Sequence, residues 1–398
     1  MADAVTAPLA RAILKRGREG PVRGGNPWIF SQAIDRVEPS SPEAGSLVTV
    51  HDASGALIGM GYCNPATTIA IRMLAWGEAP AIEDLVSRRI KSALELRRRF
   101  IRDDTNSYRL VNGDGDGLSG VVVDRFGDVL VVQILTAGAD RMRATIVAAL
   151  NELLHPRSIL ERSHGAVRKQ EGLEDHVAVL AGEAVTGTIA AENGIKIKID
   201  FEHGQKTGYF LDQRDNRAMA GAIARDARVL DAFCYQGGFS LAALAGGATK
   251  VIAVDTSARA LEIARQNLDL NQYPANAVEF VHGEAGKFMA ETPNRFDLIV
   301  LDPPPLARNR GDAERAGRLY VELNSVAMRA LAPGGRLMTF SCSTHFRGDD
   351  VVRAVRFAAS NAGRTLRLLA HLGPGPDHPV LLGHAEGEYL TGLLLADL

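Results

Sequence analysis

The stretch that most constrains the fold runs from Val229 to Ser240 and reads VLDAFCYQGGFS. Its first residues are apolar and predict a buried strand, and Gly237 and Gly238 predict a tight turn into a helix. A second apolar strand follows and closes with Asp255. A carboxylate at the end of the second strand of a βαβ unit, about 20 residues after the glycine turn, is placed to bind ribose hydroxyls.

This spacing is typical of a nucleotide-type site. Glycines at positions 237 and 238 would allow a ligand to approach the backbone, because no Cβ stands in the way. The G-x-G-x-x-G fingerprint of dinucleotide-binding folds is absent, so the pattern does not predict that class. An ordinary βαβ unit with a tight turn is the alternative interpretation of these residues alone.

Length and composition narrow the class of protein. The 398 residues leave room for two or three domains, and 46% hydrophobic with 23% charged residues is ordinary globular composition. No apolar run approaches the ~18 residues of a membrane span, and the N-terminus lacks the pattern of a secretory signal. Cys63, Cys234 and Cys342 have no paired spacing, which argues against a disulfide scaffold and a zinc site. We therefore expect a cytoplasmic protein with free thiols, no membrane association and no metal.

Positive charge is concentrated in the first quarter of the chain. Residues 1–102 hold 14 Lys and Arg against 10 Asp and Glu, although the whole chain has a net charge of −2. Such a surface could bind a polyanion. The alternative is a solvated helix face with a mobile basic tail. The basic residues form two groups: Arg11, Lys15, Arg16, Arg18 and Arg23, then Arg88, Arg89, Lys91, Arg97, Arg98, Arg99 and Arg102.

The pattern along the chain predicts three domains. Residues 1–77 contain short β runs between Gly, Pro and Asp turns, which predict a small β-barrel. Residues 78–187 begin with a helix over 81–101 and continue as a small central α/β domain. Residues 188–398 open with a hairpin and then alternate strands and helices, which predicts a mostly parallel, seven-stranded sheet.

Five polar or glycine-containing breaks follow strands of this predicted sheet. In such folds ligands bind outside the carboxyl ends of the strands, so these breaks should meet at one edge. They are Gly237-Gly238, Asp255, His282-Gly283-Glu284, Asp302-Pro303-Pro304 and Ser341-Cys342-Ser343. Glu284 could accept a hydrogen bond from an adenine amine, or it could simply be an acid at a helix N-terminus.

Asp302 heads a run of three prolines, which predicts a rigid turn with a carboxylate at its start. A D-P-P-aromatic tetrad is familiar in enzymes that methylate exocyclic amines, where the ring stacks on the base. Here the next residues are Pro305 and Leu306, so the stacking ring is missing. This argues against amine methylation.

Cys342 ends the next predicted strand, ahead of a helix that would favour its thiolate. A thiolate beside a base-binding carboxylate can add to C6 of a pyrimidine and turn C5 into a nucleophile for a methyl group. A small buried hydrophobic residue is the alternative, but Asp302 on the neighbouring loop favours the nucleophile. His345 could remove the C5 proton or be a surface histidine.

Four segments together resemble the bacterial large-subunit ribosomal RNA cytosine-C5 methyltransferase family, over nearly the whole chain. They are the motif GQKTGYFLDQR at 204–214, the stretch 231–240, Asp302-Pro303-Pro304 and Ser341-Cys342-Ser343. The resemblance implies a PUA domain, which is an RNA-binding barrel, then a small central α/β domain and a class I, Rossmann-like S-adenosylmethionine-dependent methyltransferase domain. Asn26–Ser31 and Gly61–Pro65 resemble the PUA signatures. Pro305-Leu306 departs from the aromatic or basic residues usual in the family.

The resemblance also implies roles for single residues. Cys342 would be the nucleophile and Asp302 the acid that holds the base edge. The expected cofactor, S-adenosylmethionine, would be bound by Phe210, Gln213, Arg214, Asp231, Phe233, Gly237, Gly238, Asp255, Glu284 and Asp302. The expected RNA contacts are Arg88, Arg89, Arg97, Arg98 and Lys206.

The sequence therefore predicts methylation of C5 of a cytosine in large-subunit ribosomal RNA. Uracil C5 is compatible with the thiol and stays open, whereas guanine N7 needs no thiol. A non-catalytic RNA-binding assembly factor is the alternative from another class. The expected partner is ribosomal RNA, and the sequence leaves open whether a second copy forms a homodimer.

Overall fold

The computed structural model describes residues 9–40, 42–204, 207–306, 310–343 and 346–398. These residues divide into two compact units. The first contains the chain up to Thr188, together with Asp200–Tyr209 and Pro376–Gly387, and the second contains Ile189–Ile199, Phe210–Gly375 and Glu388–Leu398. The three-domain division at 77/78 and 187/188 stays a prediction.

The first unit begins with a six-stranded sheet in the order β2-β6-β5-β4-β1-β3, in which β1 and β4 are parallel and the other pairs antiparallel. Its strands alternate buried and exposed positions or are buried along their length, as a sheet packed on a core requires. The elements are β1 (Ala10–Leu14), α1 (Gly20–Arg23), β2 (Trp28–Phe30), β3 (Ile34–Glu38), β4 (Ser46–His51), β5 (Leu57–Cys63) and β6 (Ile69–Trp76).

A long helix and a second sheet complete this unit. Helix α2 has acidic residues in its first turn and arginines in its last, which suits the helix dipole. The five strands that follow are ordered β11-β10-β9-β8-β7. The elements are α2 (Ile82–Phe100), β7 (Ser107–Asn112), β8 (Val121–Phe126), β9 (Val129–Ile134), α3 (Ala137–Arg141), α4 (Arg143–Leu154), β10 (Ser158–Ser163), α5 (Ala166–Gln170) and β11 (His176–Gly182).

A hairpin with Asn193 and Gly194 at its turn, both at positive φ, joins β12 (Gly187–Glu192) to β13 (Ile195–Asp200), as the sequence predicts. The second unit then alternates helices and strands: α6 (Arg214–Ala222), β14 (Arg228–Ala232), α7 (Gly238–Ala245), β15 (Lys250–Asp255), α8 (Ala258–Leu270), β16 (Val278–His282), α9 (Ala285–Ala290), β17 (Phe296–Leu301), α10 (Ala313–Ala330), β18 (Leu331–Ser341), α11 (Asp349–Ala362), β19 (Leu366–Leu372) and β20 (Thr391–Asp397).

The seven strands of the second unit lie in the order β16-β15-β14-β17-β18-β20-β19. The first five are parallel and the last two antiparallel, which confirms the predicted mostly parallel, seven-stranded sheet. Apolar clusters cover both faces, because βα crossovers place helices on each side of a parallel sheet. The carboxyl ends of β14 to β18 therefore share one edge.

None of the helices in the described part of the chain combines the length and the apolar character that a membrane span needs.

Candidate functional site

The loop after β14 is held in an unusual backbone conformation. Phe233 and Tyr235 have positive φ values of 65° and 48°, and Gly237 has a φ of 78°. Positive φ costs roughly 1–3 kcal/mol for a residue with a side chain and persists only where neighbouring structure imposes it. Here the amides of Phe233 and Cys234 both donate to the carbonyl of Val254 on the neighbouring strand. The loop is thus pinned to the next strand end, with Phe233 half-buried.

Asp231, the last polar residue of β14, is buried and holds the start of α7. Its carboxylate accepts hydrogen bonds from the Ser240 amide at 2.9 Å and from the Ser240 hydroxyl at 2.6 Å. Burial raises the pKa of Asp231 to about 6, although both Ser240 hydrogen bonds favour the charged form. Asp231 therefore holds the glycine turn in place through its two hydrogen bonds with Ser240.

Asp255 lies half-buried at the end of β15, as the sequence predicts. One carboxylate oxygen accepts from the Tyr235 amide at 2.9 Å and the other accepts from the Ser257 amide at 2.8 Å. A carboxylate offers about four acceptor positions, so capacity for two hydroxyl donors remains. The Gly283 amide donates to the Asp255 carbonyl, which ties the loop after β16 to this strand end. Glu284, the next residue, is exposed ahead of α9.

Gly237 is required by both its conformation and its surroundings. A Cβ at this position would approach the Ala264 Cβ to 3.1 Å, and its φ disfavours any side chain. Gly238 follows as the first residue of α7 and is half-buried. The turn therefore presents backbone, without side chains, beside Asp255.

The segment ahead of α6 reaches the same edge. The ring of Phe210 packs edge-on against Tyr235, with 5.2 Å between the ring centroids. Gln213 is buried, and its carbonyl oxygen accepts from Asn216 Nδ2 at 2.6 Å. The Gln213 amide nitrogen is therefore free to donate, and Gln213 hydrogen-bonds the carboxylate of Asp302. Arg214 is also buried, and its Nε donates to Asp215 at 2.9 Å.

Asp302 follows β17, and its amide donates to the Ala232 carbonyl at 3.4 Å. Burial, followed by repulsion from the neighbouring carboxylate of Asp212, raises the pKa of Asp302 to about 7. The hydrogen bond from Gln213 only partly opposes this effect. Asp302 can therefore be protonated or charged near neutral pH, as suits a group that exchanges a proton.

Cys342 follows β18, the strand beside β17. Its thiol is half-buried and its Sγ lies 3.8 Å from the carbonyl oxygen of Pro303, the residue after Asp302. The structure thus brings the thiol beside the loop that carries the carboxyl group, as the strand-end pattern predicts. His345 and Lys206 lie outside the described residues.

Arg217 is a member of this site that the sequence analysis missed. Its guanidinium forms a bidentate pair with Glu192, with both distances 2.6 Å, and donates to the Phe210 carbonyl at 2.9 Å. Burial raises the pKa values of Asp231 and Asp302, and the charge of Arg217 partly opposes this rise. Its position three residues after Arg214 on a helix was the available signal, because residues three apart lie on one face.

The arginines of α2 that are predicted to contact RNA differ in their exposure. Arg88 and Arg98 are exposed, whereas Arg89 is half-buried and donates to the Leu74 carbonyl. Arg97 is only 1% exposed and pairs with Asp116 at 2.5 and 2.7 Å. A buried arginine that is paired on both arms cannot reach a phosphate. The structure therefore removes Arg97 from the predicted RNA contacts.

Among the described residues one group of side chains could in principle hold a metal ion: Asp200, Glu202 and His203. Glu202 and His203 are exposed, and their backbone amides both donate to the Asp200 carboxylate. This arrangement is accounted for by a tight turn. The expectation that the protein needs no metal stays a prediction.

The chain matches two domain families and is similar in sequence to known proteins over nearly its whole length. The S-adenosylmethionine-dependent methyltransferase family matches residues 121–373, and a PUA-like domain matches residues 12–76. A relative from Photobacterium profundum named ribosomal RNA large subunit methyltransferase I is 40% identical over 385 residues, which are 95% of this chain and 97% of the relative. A relative of the same name from Shigella boydii is 38% identical over 388 residues, 96% of this chain and 98% of the relative.

A solved structure of a candidate S-adenosylmethionine-dependent methyltransferase from Streptococcus mutans has the same fold. It superimposes with a TM-score of 0.81 over 97% of this chain and 99% of its own, at 20% sequence identity. The chain therefore belongs to the S-adenosylmethionine-dependent methyltransferases, and within them to the family of the ribosomal RNA large subunit methyltransferase I proteins, with an N-terminal PUA-like domain.

Proposed function

We propose that the protein transfers a methyl group from S-adenosylmethionine to C5 of a cytosine in large-subunit ribosomal RNA. The observation that carries this proposal is the Cys342 thiol beside the Asp302 loop, at the strand edge that also carries Asp255 and the glycine turn. The names of relatives at 38–40% identity support a ribosomal RNA substrate. A cytoplasmic location is part of this proposal, because ribosomal RNA would be the substrate. Homodimer formation stays a prediction.

Cys342 and Asp302 divide the reaction between them. The Cys342 thiolate adds to C6 of the cytosine, and the Asp302 carboxyl group gives its proton to N3, so that no charge accumulates on the ring. C5 then carries the electron pair that accepts the methyl group, which S-adenosylmethionine supplies as it becomes S-adenosylhomocysteine. A base removes the C5 proton, the C5–C6 double bond reforms, the thiolate leaves and N3 returns its proton to Asp302.

The residues of the glycine turn suit the cofactor. Asp255 retains acceptor capacity for the two ribose hydroxyls, and Gly237 and Gly238 leave the backbone open to the methionine part. Asp231 holds that turn. The proposed cofactor-binding set is Phe210, Gln213, Arg214, Asp231, Phe233, Gly237, Gly238, Asp255, Glu284 and Asp302.

Replacing Asp255 by alanine should weaken S-adenosylmethionine binding about tenfold to a hundredfold. The variant loses two hydrogen bonds to a charged acceptor, each worth about 1.5–3 kcal/mol, partly replaced by water. Titration calorimetry measures the effect. Asp269→Ala, which changes an exposed acid on the neighbouring helix α8, is the matched control and should bind normally. Equal affinity in the two variants would remove Asp255 from the cofactor site.

RNA binding is proposed for the PUA-like domain and for basic residues of α2, of which Arg88 and Arg98 are exposed and Arg89 is half-buried. The set is now Arg88, Arg89 and Arg98, with Lys206 retained from the sequence alone. Arg88→Ala combined with Arg98→Ala should weaken RNA binding and reduce the dependence of log K on log salt by about 0.7–0.9 for each lost phosphate contact. Filter binding over a salt series measures both, with Arg225→Ala, an exposed arginine of the second unit, as control. An unchanged salt slope would move the RNA surface elsewhere.

The activity itself is tested by label transfer. The protein is incubated with methyl-labelled S-adenosylmethionine and large-subunit RNA lacking its native methylation, both as naked RNA and as ribosomal particles. We expect label in the RNA from at least one of the two substrates. No label on either would contradict the proposal and favour a non-catalytic RNA-binding assembly factor.

A further inference from the structure

The loop that carries Asp302 is anchored at Leu306, four residues after the carboxyl group. Pro303, Pro304 and Pro305 have no amide hydrogen, so the first backbone donor after Asp302 is the amide of Leu306. That amide donates to the hydroxyl oxygen of Ser343 at 3.1 Å. Because the prolines fix φ at three successive positions, an anchor at residue 306 restricts the segment from Asp302 to Leu306.

The hydroxyl that accepts from Leu306 belongs to the loop that carries the thiol. Ser343 directly follows Cys342 and is only 2% exposed. Its carbonyl accepts from the Phe346 amide at 3.2 Å, and the hydroxyl of Ser341 donates to the Phe346 carbonyl at 3.0 Å. The residues on both sides of the thiol are therefore fixed to Phe346, whose ring packs against Tyr320.

The hydrogen bond between Ser343 and Leu306 thus joins the two loops that hold the proposed nucleophile and the proposed acid. We propose that Ser343 is a positioning residue, whose hydroxyl sets the separation between the Cys342 thiol and the Asp302 carboxyl group. This inference rests on the proposed function. A displacement of about 1 Å between reacting groups can cost about a hundredfold in rate, so one hydroxyl at this junction can control turnover.

Two variants of equal shape isolate the hydroxyl. Ser343→Thr keeps an acceptor for the Leu306 amide, and Ser343→Val replaces it with a methyl group, so any cost of added bulk is common to both. We expect Ser343→Val to have a kcat about tenfold to a hundredfold below that of Ser343→Thr. The dissociation constant of S-adenosylmethionine and the KM for RNA should be the same in both, because neither binding surface changes.

The rate of covalent adduct formation with RNA containing 5-fluorocytidine would not change if the role of Ser343 were only structural. The C5 of 5-fluorocytidine carries no proton to remove, so a covalent protein–RNA adduct accumulates and survives denaturing electrophoresis. The adduct should form at least about tenfold more slowly with Ser343→Val than with Ser343→Thr. Ser325→Ala is the matched control, because it removes another buried hydroxyl, bonded to Val321 and Ala358 of α10 and α11, and should keep the wild-type rate.

The outcomes separate this inference from the proposed function. Equal adduct rates in Ser343→Thr and Ser343→Val, with the wild type forming adduct, would overturn the positioning role alone. A wild type that forms no adduct would overturn the covalent mechanism and the inference with it. If Ser343→Val lowers only the melting temperature, to the same extent as Ser325→Ala and with no change in rate, the hydroxyl is structural and the inference is wrong.

Discussion

Cys342→Ala is expected to lose at least about a thousandfold in methyl transfer, because it removes the nucleophile proposed for the addition to C6. S-adenosylmethionine binding should be unchanged, since the residues proposed to hold the cofactor lie at or after the ends of other strands, or at or just before the start of α6. Initial rates of label transfer and titration calorimetry measure the two quantities. The variant should also form no adduct with 5-fluorocytidine RNA.

Cys63→Ala is the matched control for this change. Cys63 is buried at the end of β5 in the first unit, and burial raises the pKa of its thiol to about 11, so it is not a nucleophile at neutral pH. This variant should keep the wild-type turnover and form the adduct. Substantial methyl transfer by Cys342→Ala would contradict a covalent mechanism while leaving the fold and the cofactor site as described.

Asp302→Asn is expected to lower kcat/KM by about a hundredfold or more, the usual contribution of a positioned proton donor. In the wild type, kcat/KM should fall as pH rises through about 7, because burial raises the pKa of Asp302 to that value and only the protonated carboxyl group can donate to N3. The asparagine variant should lack this descending limb. A pH series of initial rates tests both statements.

Stability gives a second readout of the same group. The pKa of Asp302 is raised on folding, so its contribution to stability is fully present below its unfolded pKa, near 4, and is lost as pH rises through about 7. Asp302→Asn should weaken this decline in the free energy of unfolding. Asp297→Asn, at the other end of β17, removes an acid paired with Arg228 and should leave the pH dependence of kcat/KM unchanged. A descending limb retained in Asp302→Asn would assign it to another group.

Short sequence patterns predicted the strands and turns in which an apolar run is followed by a glycine or a carboxylate. Strand β14, the turn at Gly237 and the acid Asp255 follow from apolar runs closed by glycine or a carboxylate, and the structure contains all three. Strand β1 was not singled out because its five residues, ARAIL, are few and begin a segment whose most evident feature is its basic charge. Its β-structure comes from pairing with β3 and β4, which lie far along the chain.

Only the residues of the candidate site that follow strands of the sheet could be predicted from the strand pattern of the sequence. Because parallel strands end at one edge of a sheet, the sequence alone predicted that Asp302 and Cys342 lie close together. The pairing of Arg217 with Glu192 joins residues 25 apart, and the bond between Leu306 and Ser343 joins residues 37 apart. Such contacts depend on the folded geometry. For the same reason the burial of Arg97 against Asp116 could not be inferred from a cluster of basic residues.

The identity of the methylated nucleoside shows which atom receives the methyl group. Large-subunit ribosomal RNA lacking its native methylation is incubated with the protein and S-adenosylmethionine, digested to nucleosides and examined by mass spectrometry. We predict that the wild type forms 5-methylcytidine and that Cys342→Ala does not. A product of 5-methyluridine would contradict the proposed contact between Asp302 and cytosine, and a methylated guanosine would contradict the role of Cys342.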